Sequence, residues 1–109
     1  MPDLAPAFDA FDDCDAALVK LEKLCCDPGR SPRMAELGRT VDAARTALQG
    51  DFTAATAEEA LEHLENAGAQ LGRLQVGCCA PKRLPLYARM LENLTTIQLT
   101  VNRELGRGH

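Results

Sequence analysis

The second half of this chain repeats the first. Cys25-Cys26-Asp27-Pro28-Gly29-Arg30-Ser31-Pro32 is matched by Cys78-Cys79-Ala80-Pro81-Lys82-Arg83-Leu84-Pro85, a shared C-C-x-P-x-R-x-P pattern at an offset of 53 residues (78 − 25 = 53). The same offset carries Phe8 to Leu61, Phe11 to Leu64, Leu18 to Leu71, Leu21 to Leu74, Leu37 to Met90 and Val41 to Leu94. A period of this length means that one supersecondary unit occurs twice, and that each unit must bury its apolar face, either against the other unit in one bundle or, in an extended pair of hairpins, against a second molecule.

Each unit reads as helix, bend, helix. Phe8, Phe11, Leu18, Leu21 and Cys25 share one helical face, and Met34, Leu37, Val41, Ala44 and Leu48 follow at alternating spacings of three and four. Ser31 before Pro32 supplies an N-cap followed by a proline whose missing N–H costs nothing, and Gly50 provides a C-terminal stop. In the second unit, Thr56 and Glu59 have the spacing of a capping box. Leu61, Leu64, Gly68, Leu71 and Leu74 form the next stripe, where Gly68 predicts a close approach by a neighbouring helix. After the second bend Pro85 opens the last helix, with Tyr87, Met90, Leu94, Ile97, Val101 and Leu105 on its inner face. The expected fold is therefore all-α: an antiparallel up-down-up-down four-helix bundle of two repeated αα-hairpins, about 4–50 and 56–106, making one domain over 1–109. Both Cys-Cys bends then lie at one end.

Composition narrows the function classes. Lys and Arg number 12 against 16 Asp and Glu, a net charge of −4, so no global attraction to nucleic acid or to an anionic membrane is expected. Phe8, Phe11, Phe52 and Tyr87 are the only aromatic residues, too few for a base-stacking platform. Every leucine-rich segment is broken by charges, so none approaches the ~20 apolar residues that span a bilayer. The opening residues already include Asp3 and Asp9 and no basic residue, unlike a secretory leader, and a cytoplasmic location is the expectation.

Five cysteines are an odd number, which fits reduced thiols or a metal better than a secreted disulfide framework. Cys25, Cys26, Cys78 and Cys79 could together supply a four-thiolate site for zinc or an iron–sulfur cluster, or a thiol redox pair between the bends. Against this, adjacent cysteines seldom turn both sulfurs toward one ion, and a disulfide demands Cα atoms ~4.4–6.8 Å apart. The simpler account makes them small apolar residues under the bends, and no cofactor is expected. Cys14, whose counterpart is Ala67, reads as core.

Lys20, Lys23, Arg30, Arg33, Arg73, Lys82, Arg83 and Arg89 gather near the bends, while Asp9, Asp12, Asp13, Asp15, Glu58, Glu59 and Glu62 open the first and third helices. Helix-dipole complementarity accounts for such a distribution. A sharper reading gives Arg30, Arg33, Lys82 and Arg83 a role in contacting a phosphate ligand or an acidic protein partner. His63 stands among Glu59, Glu62 and Glu65 on a solvated face. With no Glu-x-x-His pair, glycine-rich phosphate loop or Ser, His and Asp set, classical catalysis has little to work with. On the last helix, Ala88, Leu91, Thr95, Leu99 and Asn102 form an uncharged stripe beside the core face, which fits a homodimer surface and a wide burial face within the monomer equally well. The resulting expectation is a helical-bundle interaction or accessory protein, with a thiolate metal or redox protein as the alternative.

Overall fold

The computed structural model describes residues 2–24, 31–76 and 83–107, all helical apart from short connections. Four helices follow in order: α1 (Ala5–Leu24), α2 (Ser31–Gln49), α3 (Ala54–Val76) and α4 (Leu84–Arg107). The molecule measures 46 × 20 × 18 Å, the cross-section of helices set two by two at ordinary packing distances. Helix α1 packs chiefly on α4 and α2 chiefly on α3; α3 meets α4 less extensively, and α1 meets α2 less again, while the diagonal pairs barely touch. No described helix is long and apolar enough to cross a membrane.

The core explains these pairings. Helices α1 and α3 bury small residues, Ala7, Ala10, Cys14 and Ala17 on one and Ala57, Ala60 and Ala67 on the other, whereas α2 and α4 bury mostly large ones. Met34, Leu37, Val41 and Leu48 come from α2, and Tyr87, Met90, Leu94, Ile97 and Val101 from α4. Small side chains let a helix approach the large side chains of its neighbour at full packing density. The Cys14 sulfur shows how near α1 comes, since it lies 4.0 Å from the backbone carbonyl of Met90 on α4. Burial recurs with the 53-residue offset: Phe11 and Leu64, Cys14 and Ala67, Leu21 and Leu74, Met34 and Tyr87, Val41 and Leu94 are all buried. Thr100 joins the inner face because its hydroxyl donates to the Thr96 carbonyl at 2.8 Å and needs no other partner.

The ends differ from expectation in detail. The capping box is present three residues earlier than predicted: Thr53 N–H donates to Thr56 Oγ1 at 2.9 Å, and Thr56 N–H donates to Thr53 Oγ1 at 3.1 Å. Thr56 therefore closes the box instead of opening it, and α3 gains a turn. At α1, Asp3 Oδ1 accepts from Ala5 N–H at 3.2 Å. Gly50 follows α2 without the left-handed backbone of a glycine cap, for no described glycine has positive φ. Gly68 has no close neighbour; a Cβ there would meet nothing within 4 Å. The close approach is at Gly38, where a Cβ would stand 3.1 Å from Leu18 Cδ2.

These two glycines give contrasting mutants. Gly68→Ala should raise stability by about 0.5–1 kcal/mol, the helix-propensity difference, because nothing opposes the added methyl. Gly38→Ala should gain less, since Leu18 must move. Urea unfolding midpoints of the two variants check this, and an equal gain would show that the Gly38 approach is soft.

Candidate functional site

Charged side chains on α1 fasten it to both neighbours. In the run Asp12-Asp13-Cys14-Asp15, Cys14 turns into the core while the carboxylates splay to either side. Arg45 of α2 reaches back to this run, with Nη1 2.8 Å from Asp15 and Nη2 2.6 Å from Asp12. Its guanidinium also lies 5.3 Å from the centroid of the Phe11 ring, a cation–π geometry. On the other side Arg89 of α4 grips Asp13 with two N–H groups, and Asn93 Nδ2 donates to the same carboxylate at 2.6 Å. These acids stand beyond the first turn of α1, where no acidic residue is found, so inter-helix pairing accounts for them better than the dipole. Lys23 and Arg73 do occupy last turns, as the dipole favours.

The interaction shifts titration. Hydrogen bonds from Arg89 and then Asn93 hold the Asp13 carboxyl well below the ordinary 3.8. Burial, reinforced by the charges of Asp15 and Asp13, pushes the Cys14 thiol up to about 12. Cys14 is thus a protonated, inert core residue, not a nucleophile or a ligand.

Of the basic residues predicted to contact an anion or partner, Arg30 and Lys82 lie outside the described residues. Arg33 is exposed and borders a cleft of about 170 Å³ with Arg73 and Gln70, but Glu36 shares that cleft and offsets its positive charge. Arg83 is only 2% exposed, so its guanidinium is buried in the bundle instead of being presented at the surface. Cys25, Cys26, Cys78 and Cys79 likewise lie outside the described residues. Among the described residues, no group of three or more His, Cys, Asp or Glu side chains is disposed to hold a metal ion. His63 is half-buried, 3.8 Å from Glu59 on the same helix face.

The uncharged stripe of α4 is on the surface. Ala88, Leu91, Thr95, Leu99 and Asn102 are all exposed, Leu91 at 38% and Leu99 at 64%, and Leu84 adds another exposed leucine at 46%. The stripe runs into a groove of about 500 Å³ between α3 and α4. Leu61 and Leu99 give the groove apolar walls, Glu58, Glu62 and Glu65 line it from α3, and Thr95, Gln98 and Asn102 line it from α4. A second recess, about 590 Å³ beside Leu4, Phe8 and Phe52, brings no convergent set of polar groups together. The sequence had signalled the α4 stripe by its lack of charge; the acidic wall contributed by α3 was not foreseen, because it depends on which helices adjoin.

Two measurements probe the α1 contacts. Because the folded pKa of Asp13 lies below its ordinary value, its contribution to stability is complete above that value and fades as pH falls toward the lowered one. Asp13→Asn should therefore lower the thermal midpoint at neutral pH, with the gap to the unmodified chain narrowing below about pH 4. In a variant with Cys25, Cys26, Cys78 and Cys79 changed to Ser, the remaining Cys14 should resist a thiol reagent at pH 8 until denaturant is added. Rapid labelling of the folded variant would show that its thiol is accessible.

Comparison with protein-family models, with curated proteins and with solved structures finds no match to this chain.

Proposed function

We propose that this chain works by binding, as an interaction or accessory protein that contacts a protein partner through the outward face of α4 and performs no classical catalysis. The observation that carries this reading is the exposed stripe of Leu91 and Leu99 set against its counterpart in the first half. At the offset of 53, the positions of Ala88, Leu91, Thr95, Leu99 and Asn102 correspond to Ala35, Gly38, Asp42, Thr46 and Gln49 on α2. The same inner face is buried on both helices, yet only α4 carries leucines outside it. The bundle is built at α2 without them, so their presence on α4 answers to something other than folding. Isolated surface leucines are ordinary, but aligned ones make a contiguous patch of the kind that another surface covers. Covering each would contribute on the order of 1.5–3 kcal/mol if burial were complete.

Within this reading the bundle is antiparallel and up-down-up-down, formed by two repeated hairpins. The recurrence of burial at one offset supports it, as does the pseudo-symmetric pairing in which α1 favours α4 and α2 favours α3. A homodimer joined through Ala88, Leu91, Thr95 and Leu99 is one form that such binding can take.

A photocrosslinking amino acid placed at position 91 or 99, with position 39 on the exposed face of α2 as control, tests the reading in cells that make the protein. Adducts are expected at 91 and 99 and not at 39. An adduct of twice the chain's 11.8 kDa identifies a second copy, and any other discrete mass another protein. No adduct at either α4 position, or equal yield at all three, would remove the proposal.

A further inference from the structure

The two halves treat the groove between their own helices differently, and the difference assigns an occupant. Between α1 and α2, the first half supplies its own cation: Arg45 lies over the Phe11 ring and pairs with Asp12 and Asp15. Shifted by 53 residues, Phe11 becomes the buried Leu64, Asp12 becomes Glu65, Asp15 becomes Gly68, and Arg45 becomes Gln98. Glu65 and Gln98 both line the α3–α4 groove. This groove therefore keeps one of the two carboxylates and lacks the arginine, while its apolar walls come from Leu61 and Leu99. Glu58 and Glu62 add two more carboxylates, and among the described residues none that lines the groove is basic.

We infer that the α3–α4 groove receives the basic face of an amphipathic helix from a partner protein. An arginine or lysine of that helix takes the place that Arg45 fills in the first half, while its leucines cover Leu91 and Leu99. This rests on the binding role proposed above and names the chemistry of the partner. Helix-in-groove recognition needs apolar anchors at helical spacing and complementary flanking charge, and both are present. Leu84 to Leu99 spans about 22 Å at 1.5 Å per residue, enough for some four turns of a docked helix. A second copy of this chain is a poor occupant, because it brings its own Glu58, Glu62 and Glu65 and exposes Glu92 beside the same stripe. Phosphate-bearing surfaces, whether lipid or nucleic acid, are repelled by the same glutamates.

The probe is a synthetic helical peptide of about five turns, with leucines on one face and arginines flanking them, titrated calorimetrically into the purified full chain near physiological ionic strength. Its charge-inverted counterpart replaces every arginine by glutamate. The arginine peptide should bind and the glutamate peptide should not. Gln98→Arg, which restores an internal cation, should weaken binding at least about fivefold, and Glu62→Gln with Glu65→Gln should do the same. All three positions are exposed or half-buried on helices, and thermal unfolding of each variant verifies that the fold persists.

Absence of binding by the arginine peptide, equal binding of both peptides, or an affinity unmoved by either variant would overturn the inference. So would a dimer in sedimentation that Leu99→Ser dissolves, since a second copy would then occupy the face. If crosslinks form at 91 and 99 but the charge variants have no effect, the binding role stands and the basic helix does not.

Discussion

The close approach of α1 to α4 and of α2 to α3 is the constraint on which the rest of the structure depends. The alanines and Cys14 that α1 and α3 bury, alternating with Phe11, Leu18 and Leu21 on one and Leu64, Leu71 and Leu74 on the other, take up little volume beside the mostly large buried residues of α4 and α2. A core with few aromatic residues can still reach native density in this way, provided small faces large along the whole contact. The consequence for the repeat is that each half is completed by the other. Neighbours in sequence, α1 with α2 and α3 with α4, share less contact than helices drawn from different halves.

Because α1 and α2 share little apolar contact, polar groups join them. Arg45 links the two helices through two carboxylates and a ring, beside the close packing of Leu18 on Gly38. On the opposite side, Asp13, Arg89 and Asn93 supplement an interface that is already extensive. Partial exposure limits what such pairs add to stability, so their main effect is on register and orientation. Among the described residues lining the α3–α4 groove there is no cation, and its carboxylates Glu58, Glu62 and Glu65 are exposed.

Much of the fold was legible in the sequence. Burial matches the predicted stripes at Phe11, Leu18 and Leu21 on α1, at Met34, Leu37, Val41, Ala44 and Leu48 on α2, and at Tyr87, Met90, Leu94, Ile97 and Val101 on α4, because helical periodicity is a property of one segment. Cys14, read as core from its counterpart Ala67, is buried as well. The differences lie mainly in relations between segments, with the cap of α3 a local exception. Gly68 and Gly38 both sit in helices, and only the three-dimensional packing shows that the second of them meets Leu18. Thr53 and Thr56 are both competent caps, and the backbone chose the earlier one, adding a turn to α3. The acids of α1 were read against the helix dipole because a sequence displays its own helix, whereas their actual partners are on α2 and α4.

The candidate site divides along the same line. The α4 stripe was visible as a run without charge, and its exposure agrees with a surface role, but its sequence alone was equally compatible with a wide buried face. What separates the two is the comparison within the molecule. A helix whose counterpart holds Gly38, Asp42 and Thr46 in the same places does not require Leu91, Thr95 and Leu99 in order to pack. Retaining leucines at the surface incurs a solubility cost and, on this fold, returns no core volume. On the proposed reading of the chain as two repeated hairpins, each half serves as a control for the other: what both share is assigned to the fold, and what α4 alone displays beside the acidic groove is assigned to the proposed binding surface.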